Sequence, residues 1–346
     1  MTITINGTSQ VLAGLPALFG FVPRHSLILL STLHHTDNTC KVGPMIRADL
    51  AHVVTNPGQA VDTFARQVGD RPVHSVLAAM IHPLTNPGDN TTLPQRNTAD
   101  TIAALLTGHG FTDIDVIHVP DIAADARWRS YRTPERTGVL PDPAGTAFAA
   151  DAVAEGRVIA DDRRDLQARF NPAPEHMRER LREPISTALA AATTDQHHPA
   201  AAAARLDRAD TALHAANEGT LPTDDADIID LAATFAGTAF RDALLALPDN
   251  TAHHAAENLI LHLWRHSSDP IAGQLATVIG IHAYLRGDGA GAQIALEHAD
   301  PRQPLAVLLS TMLRHAIAPS RIHGVIQNAS ADARRTLLSE PAAEQA

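Results

Sequence analysis

The sequence predicts an α/β N-terminal domain, with a mixed sheet and covering helices, followed by an all-α C-terminal domain built around a helical hairpin. Three observations predict this. Between residues 26 and 119, apolar runs of strand length alternate with helical segments, the pattern that gives a sheet with parallel neighbours. From about Leu206 onward, apolar residues recur only at helical spacing. Within residues 281–299, IHAYLRGDGAGAQIALEHA, one apolar helix stops at Gly287 and the next starts at Asp288.

The elements follow in order. Residues 9–19 read as a short helix with Val11, Leu12, Leu15, Leu18 and Phe19 on its apolar side; Gly20 ends it and Pro16 bends it. Residues 26–33, SLILLSTL, are a nearly continuous aliphatic run, expected as a buried strand. After the polar stretch 34–41, residues 42–50 return as its partner, giving a β-hairpin with a loose loop. Helix 57–69, strand 73–81, helix 96–108 and strand 114–119 come next. Between them, residues 83–94, PLTNPGDNTTLP, form a turn-rich loop, read either as a cover over a pocket or as plain surface.

Residues 142–182 are expected as connecting helices broken at Pro172, Pro174 and Pro184. The alanine-rich run 188–204, with TTDQHHP inside it, reads as a linker. The expected organisation is therefore an α/β domain at 1–185, a linker at 186–204, an all-α domain at 205–330 and a tail at 331–346. Helices are expected at 227–247, 252–265, 270–286, 288–299 and 304–316.

At the hairpin, Ala272, Leu275, Ala276, Ile279, Ala283 and Leu285 give the first helix a broad apolar face. Gly287 stands where a left-handed residue closes that helix, and it has no Cβ to oppose this. Asp288 is the expected cap of the next helix, its carboxylate suiting the positive end of the dipole. Gly289, Ala290, Gly291 and Ala292 are small enough for close packing at the bend.

Composition sets limits. With 45% hydrophobic content in 346 residues the chain can bury a large core, but only 3% is aromatic, so aliphatic residues and alanine must fill it. Lys41 is the only lysine among 27 basic residues. A formal charge of -11 argues against a nucleic-acid partner, which needs clustered positive charge. The arginines between 157 and 182 are dense, yet they interleave with acids such as Asp161, Asp165, Glu179 and Glu183, as on a solvated helix face. Cys40 is the single cysteine, so no intrachain disulfide and no multi-cysteine metal site is expected. The N-terminus, MTITINGTSQ, lacks the basic and apolar regions of a signal peptide, and the apolar windows 26–33 and 273–285 are too short to span a bilayer. A cytoplasmic protein with no membrane partner is expected.

Two blocks carry candidate chemistry. In the second strand, Arg47 and Asp49 share one face near a strand end, where α/β sheets place ligand sites; an exposed ion pair has the same pattern. In ARWRSYR, Arg127, Trp128 and Tyr131 combine guanidinium and aromatic groups that can stack on a flat ligand or hold an anion, or else seal a core edge. His262 with His266, and His253 with Glu257, lie one helical turn apart, but each pair offers two metal ligands where zinc needs more, and HExxH is absent. Gly287, Gly289 and Gly291 follow a helix rather than a strand, so they make no dinucleotide loop. There is no GxSxG elbow and no P-loop. No cofactor and no metal are implied.

The blocks LPALFGFVPRHSLILL, IRADL at 46–50, RWRSY at 127–131 and AYLRGDGAGAQIALEHA resemble, in order, an actinobacterial family known as domain of unknown function 4192. The resemblance covers about residues 10–319 and implies no chemistry. It implies a cysteine cluster after the RWRSY block, but here TPERTGVLPDPAG follows with none, so no metal or redox role carries over. The hairpin also resembles half of a tetratricopeptide unit, with Ala292 and Ala299 at the repeat's alanine offsets; no second copy follows. The expected function is a non-enzymatic interaction or regulatory module whose helical half binds a protein partner. The alternative is a small-molecule sensor or enzyme with its site at the strand ends, near Arg47, Asp49, Arg127, Trp128 and Tyr131.

Overall fold

A computed structural model describes residues 7–34, 40–84, 93–154, 159–315, 317 and 319–339. The tip of the first hairpin (35–39), most of the turn-rich loop (85–92) and the end of the expected tail (340–346) lie outside the described residues. The chain divides into two compact units, Met1–Arg163 and Arg164–Ala346.

The first unit begins with α1 (Thr8–Phe19), which contains Pro16 and ends at Gly20 with φ 75°. Then come β1 (Ser26–His34), β2 (Cys40–Asp49), α2 (Leu50–Thr55), α3 (Pro57–Val68), β3 (Val73–Ile81), α4 (Arg96–Gly108), β4 (Ile114–Val119), β5 (Arg127–Ser130), β6 (Thr137–Val139) and α5 (Ala147–Ala154). The strands make one mixed sheet in the order β2-β1-β3-β4-β5-β6. β3 and β4 pair in parallel because α4 carries the chain back between them; the other pairs are antiparallel.

Strand alternation sorts the core into two layers. Leu27, Leu29, Ala78, Met80 and Val116 pack under Val61, Phe64 and Val68 of α3 and Ile102 and Leu106 of α4. Ile28, Leu30, Ala79, Ile81 and Ile117 pack on Val11, Leu12 and Leu15 of α1. Covering both faces explains why β1 and β3 are apolar almost throughout. At Gly14 a Cβ would meet the Phe148 ring at 2.3 Å, so only glycine lets α5 approach α1 so closely.

The second unit is helical: α6 (Arg163–Ala168) at the division, then α7 (Glu175–Asp195), α8 (Pro199–Asn217), α9 (Asp225–Ala236), α10 (Thr238–Leu244), α11 (Asn250–His266), α12 (Ile271–Leu285), α13 (Gly289–Glu297), α14 (Pro304–Arg314) and α15 (Pro319–Leu338). The stretch expected as a linker is helical. The alanine-rich stretch forms α7 and α8, joined by three residues, because alanine is the strongest helix former. Arg205, 4% exposed, locks it in place: its guanidinium donates to Asp195, Asp230 and Thr234 and lies 5.7 Å over the Phe240 ring. Pro184 sits inside α7 rather than ending it. The start of the expected tail belongs to α15, which packs on α10 and α8; Ser330 donates to the Ala243 carbonyl at 2.9 Å.

α12 is apolar on every side and lies at the centre of this unit, packed by α9, α11, α13, α14 and α15. It ends in a Schellman pair: Asp288 N–H donates to the Ala283 carbonyl at 2.8 Å and Gly287 N–H to Tyr284 at 2.9 Å, with Gly287 at φ 86°. Asp288 Oδ1 then accepts from Gly291 N–H at 2.8 Å, capping α13. Among the described residues, no helix is long and apolar enough to cross a membrane.

Candidate functional site

The parallel pairing of β3 and β4 brings their carboxyl ends side by side, and the antiparallel register sets the start of β1 and the end of β2 in the same row: Asp49, Ser26, Ile81, Val119. Carboxyl ends of parallel strands are where open α/β sheets bind ligands. Three histidines gather there. His82 continues β3 by one residue, its N–H donating to the Val119 carbonyl at 3.2 Å. His118 lies one residue inside the end of β4, and His25 immediately precedes β1. His25 has φ 46°, a left-handed backbone unusual for a residue with a Cβ, while its carbonyl accepts from Leu50 N–H at 2.9 Å.

The hydrogen bonds fix the tautomers. His118 Nε2 contacts the His82 carbonyl at 2.9 Å, and a carbonyl only accepts, so Nε2 carries the proton. His82 Nδ1 contacts the Pro83 carbonyl at 3.2 Å and carries its proton for the same reason. That leaves His82 Nε2 with a lone pair, and among the described residues this atom is buried without a partner, in a residue only 8% exposed. Burial, the largest cause in both, lowers His82 below the ordinary histidine value and His118 to about 4. Both rings are therefore neutral at pH 7. The two rings meet edge to face at 4.8 Å, and Tyr131 closes on His118 at 6.4 Å. An uncharged imidazole acceptor held in one orientation is a ready partner for a ligand O–H or N–H, or a proton acceptor.

The residues expected from sequence are distributed as follows. Arg47 and Asp49 share one face of the edge strand β2; Arg47 Nε donates to Ser26 Oγ at 2.9 Å, its guanidinium meets Asp49 at 3.4 Å and its charge lies 5.8 Å from the Phe21 ring. Burial, opposed by Asp49, lowers the Arg47 pKa. Alternation puts this pair on the α1 side of the sheet and His118 and Tyr131 on the α3 and α4 side. β1, β3 and β4 separate β2 from β5, about 19 Å at the usual strand spacing, so Arg47 and Arg127 do not share a site. Arg127 is exposed, whereas Trp128 is buried with its indole N–H given to Ser9 Oγ at 2.9 Å. Tyr131, 1% exposed, donates to the Pro94 carbonyl at 2.6 Å; burial raises its pKa and keeps the hydroxyl protonated. Of the three residues expected from that block, Tyr131 borders the histidines, while Arg129 of the same block pairs with His118 across the strands.

His82 and His118 escaped the sequence reading, although a signal was present: a histidine inside the apolar strand IDVIHV and another directly after VHSVLAAMI. In the second unit, His253 and His282 contact through Nδ1 atoms at 2.9 Å, and Glu257, 2% exposed, is held by Arg286 and Arg169. The His262 and His266 rings lie 4.8 Å apart, tilted by 53°. Among the described residues, no group of three His, Cys, Asp or Glu side chains that could hold a metal is present.

No curated protein and no solved structure matches the chain. One family model does, described as Domain of unknown function (DUF4192), over residues 9–320. That match runs through the sheet, the strand-end histidines and the helical unit to the start of α15, and the chain belongs to the DUF4192 family.

Proposed function

We propose that the chain is a cytoplasmic small-molecule-binding protein, a sensor or enzyme, whose site lies at the strand ends of the first unit around His82, His118 and His25, with Tyr131 at its border and Arg47 and Asp49 on the neighbouring edge. One observation carries this reading: among the described residues His82 Nε2 is a buried acceptor without a partner, on a ring whose other nitrogen is already tied to Pro83. Leaving such a group unsatisfied costs about 1–3 kcal/mol, which a ligand hydroxyl, amine or amide recovers on binding.

Thermal-shift screening against metabolites, repeated on His82→Phe, tests it. Phenylalanine keeps the ring and removes the acceptor, so the variant retains the wild-type melting temperature to within a few degrees while the stabilisation by a true ligand falls with its affinity. If every stabilising compound acts equally on wild type and His82→Phe, the site is elsewhere.

A second reading, a protein partner for the helical unit, is favoured by Val307 and Leu308, adjacent on α14 and about half exposed. Pull-downs with Val307→Glu and Leu308→Glu test it: a partner retained by both variants does not use this surface.

A further inference from the structure

We infer that the helical unit carries a separate binding site for a planar aromatic or heteroaromatic monocarboxylate, in the cleft between the end of α11, the start of α12 and the end of α13. The cleft has a volume of about 650 Å³, within the range of small-ligand sites.

Its wall concentrates aromatic surface in a chain that has little of it. Phe170 stacks on His298 with ring centres 4.7 Å apart and planes 6° from parallel. Trp264 stands steeply against both, at 5.1 Å from Phe170 and 5.3 Å from His298. All three line the cleft. Such a wall accepts a flat ring by stacking and edge contact.

Two polar observations specify the rest of the ligand. Trp264 is 8% exposed, yet among the described residues its indole N–H has no acceptor. Buried donors are seldom left this way, and the chain's other tryptophan gives the same group to Ser9. Arg178, also on the wall, donates from Nε to the Ala173 carbonyl at 3.1 Å; among the described residues no carboxylate lies within ion-pair distance of it. Its terminal nitrogens thus offer the planar fork that a carboxylate matches.

The charge around the cleft limits how anionic that ligand is. Asp269, Glu297 and Asp300 line it beside Arg178 and Arg302, and Arg302 is already held by Asp300 at 3.1 and 3.2 Å. The lining carries one more acid than base, so a nucleotide phosphate with two or more charges is repelled more strongly than a single carboxylate, which can pair directly with the Arg178 fork. The two features together select an aromatic acid.

The test uses the full chain labelled with fluorotryptophan. Its two tryptophans give two fluorine NMR resonances, and Trp264→Phe assigns them. Indole-3-acetate, benzoate and nicotinate serve as probes, with indole and acetate as the ring-only and charge-only controls. The expected result is a saturable shift of the Trp264 resonance with at least one aromatic acid, the Trp128 resonance unmoved, and affinity at least tenfold weaker for both controls. Arg178→Gln weakens that acid at least tenfold while leaving indole unaffected, and thermal melts establish that the variant is folded. The proposal is overturned if no aromatic acid moves the Trp264 resonance at millimolar concentration, if indole binds as well as the acids, or if folded Arg178→Gln binds them unchanged.

Discussion

Replacing Glu257 by glutamine probes the most heavily buried charge in the helical unit. Glu257 Oε2 accepts from Arg286 Nε and Nη2 at 3.0 and 2.7 Å, and Oε1 meets Arg169 at 2.8 Å. Arg286 also reaches Asp288 at 2.9 Å, the residue that caps α13. Glutamine keeps the shape, removes the charge and sets an amide N–H₂ against guanidinium donors. Breaking a buried pair from one side costs about 3–5 kcal/mol. Arg169 has a side chain 29% exposed and regains hydration, and Arg286 keeps Asp288, so the low end applies, about 3 kcal/mol. For a unit of about 180 residues, each kcal/mol moves the melting point by about 2–4 °C, giving a loss of roughly 6–12 °C. Fluorescence of Trp264 in a Trp128→Phe background reports this unit alone, in thermal and urea unfolding. The pH dependence has a definite sign. Burial pushes Glu257 upward, but Arg286 and Arg169 outweigh it and hold its carboxyl below the ordinary glutamate value. Its stabilisation is thus complete above the unfolded value of about 4.3 and is lost as pH falls through the lower folded value. The gap between wild type and Glu257→Gln should therefore close in acid. A loss below about 1 kcal/mol at pH 7 would refute the reasoning, since a buried, triply bonded carboxylate cannot be that dispensable.

Other expectations are as direct. Burial lowers His253 to about 4 and His282 to about 3, so each is neutral when folded. Stability from this pair is intact above the unfolded histidine value and declines as pH falls from about 6.5 toward 4, by up to about 1.4 kcal/mol per pH unit for each ring; urea midpoints across that window should flatten in a His253→Leu, His282→Leu double variant. Gly287→Val should destabilise by about 1–2 kcal/mol through backbone strain at φ 86°, where a Cβ itself meets nothing within 4 Å; Gly287→Asn should cost visibly less in the same melts. Arg205→Lys should cost at least about 2 kcal/mol in urea unfolding, since an ammonium cannot bond Asp195, Asp230 and Thr234 together. Tyr131→Phe should lose about 1 kcal/mol with its bond to Pro94, read by differential scanning calorimetry.

The sequence by itself determined the elements whose signals are local. Apolar runs marked β1 to β4, the helices at 57–68 and 96–108 follow from spacing and from Pro57 at a helix start, and the turn at Gly287 and Asp288 is written in two residues whose backbone and side-chain preferences admit little else. It could not show that the alanine-rich stretch is load-sharing helix, because what holds it is Arg205 reaching residues 10, 25 and 29 positions away in the chain. Nor did it reveal β5 and β6, three or four residues each, whose pairing exists only because β4 offers an edge. The membership of the candidate strand-end site was not legible. A parallel pair of strands was expected, and separately a candidate ligand site at strand ends near Arg47, Asp49, Arg127, Trp128 and Tyr131. Which residues meet there depends on strand order: that order carries Arg47 and Arg127 apart while setting His25, His82 and His118 at one end of the sheet. Register and strand order are long-range facts, fixed by how two apolar faces are covered, and no stretch of local sequence encodes them.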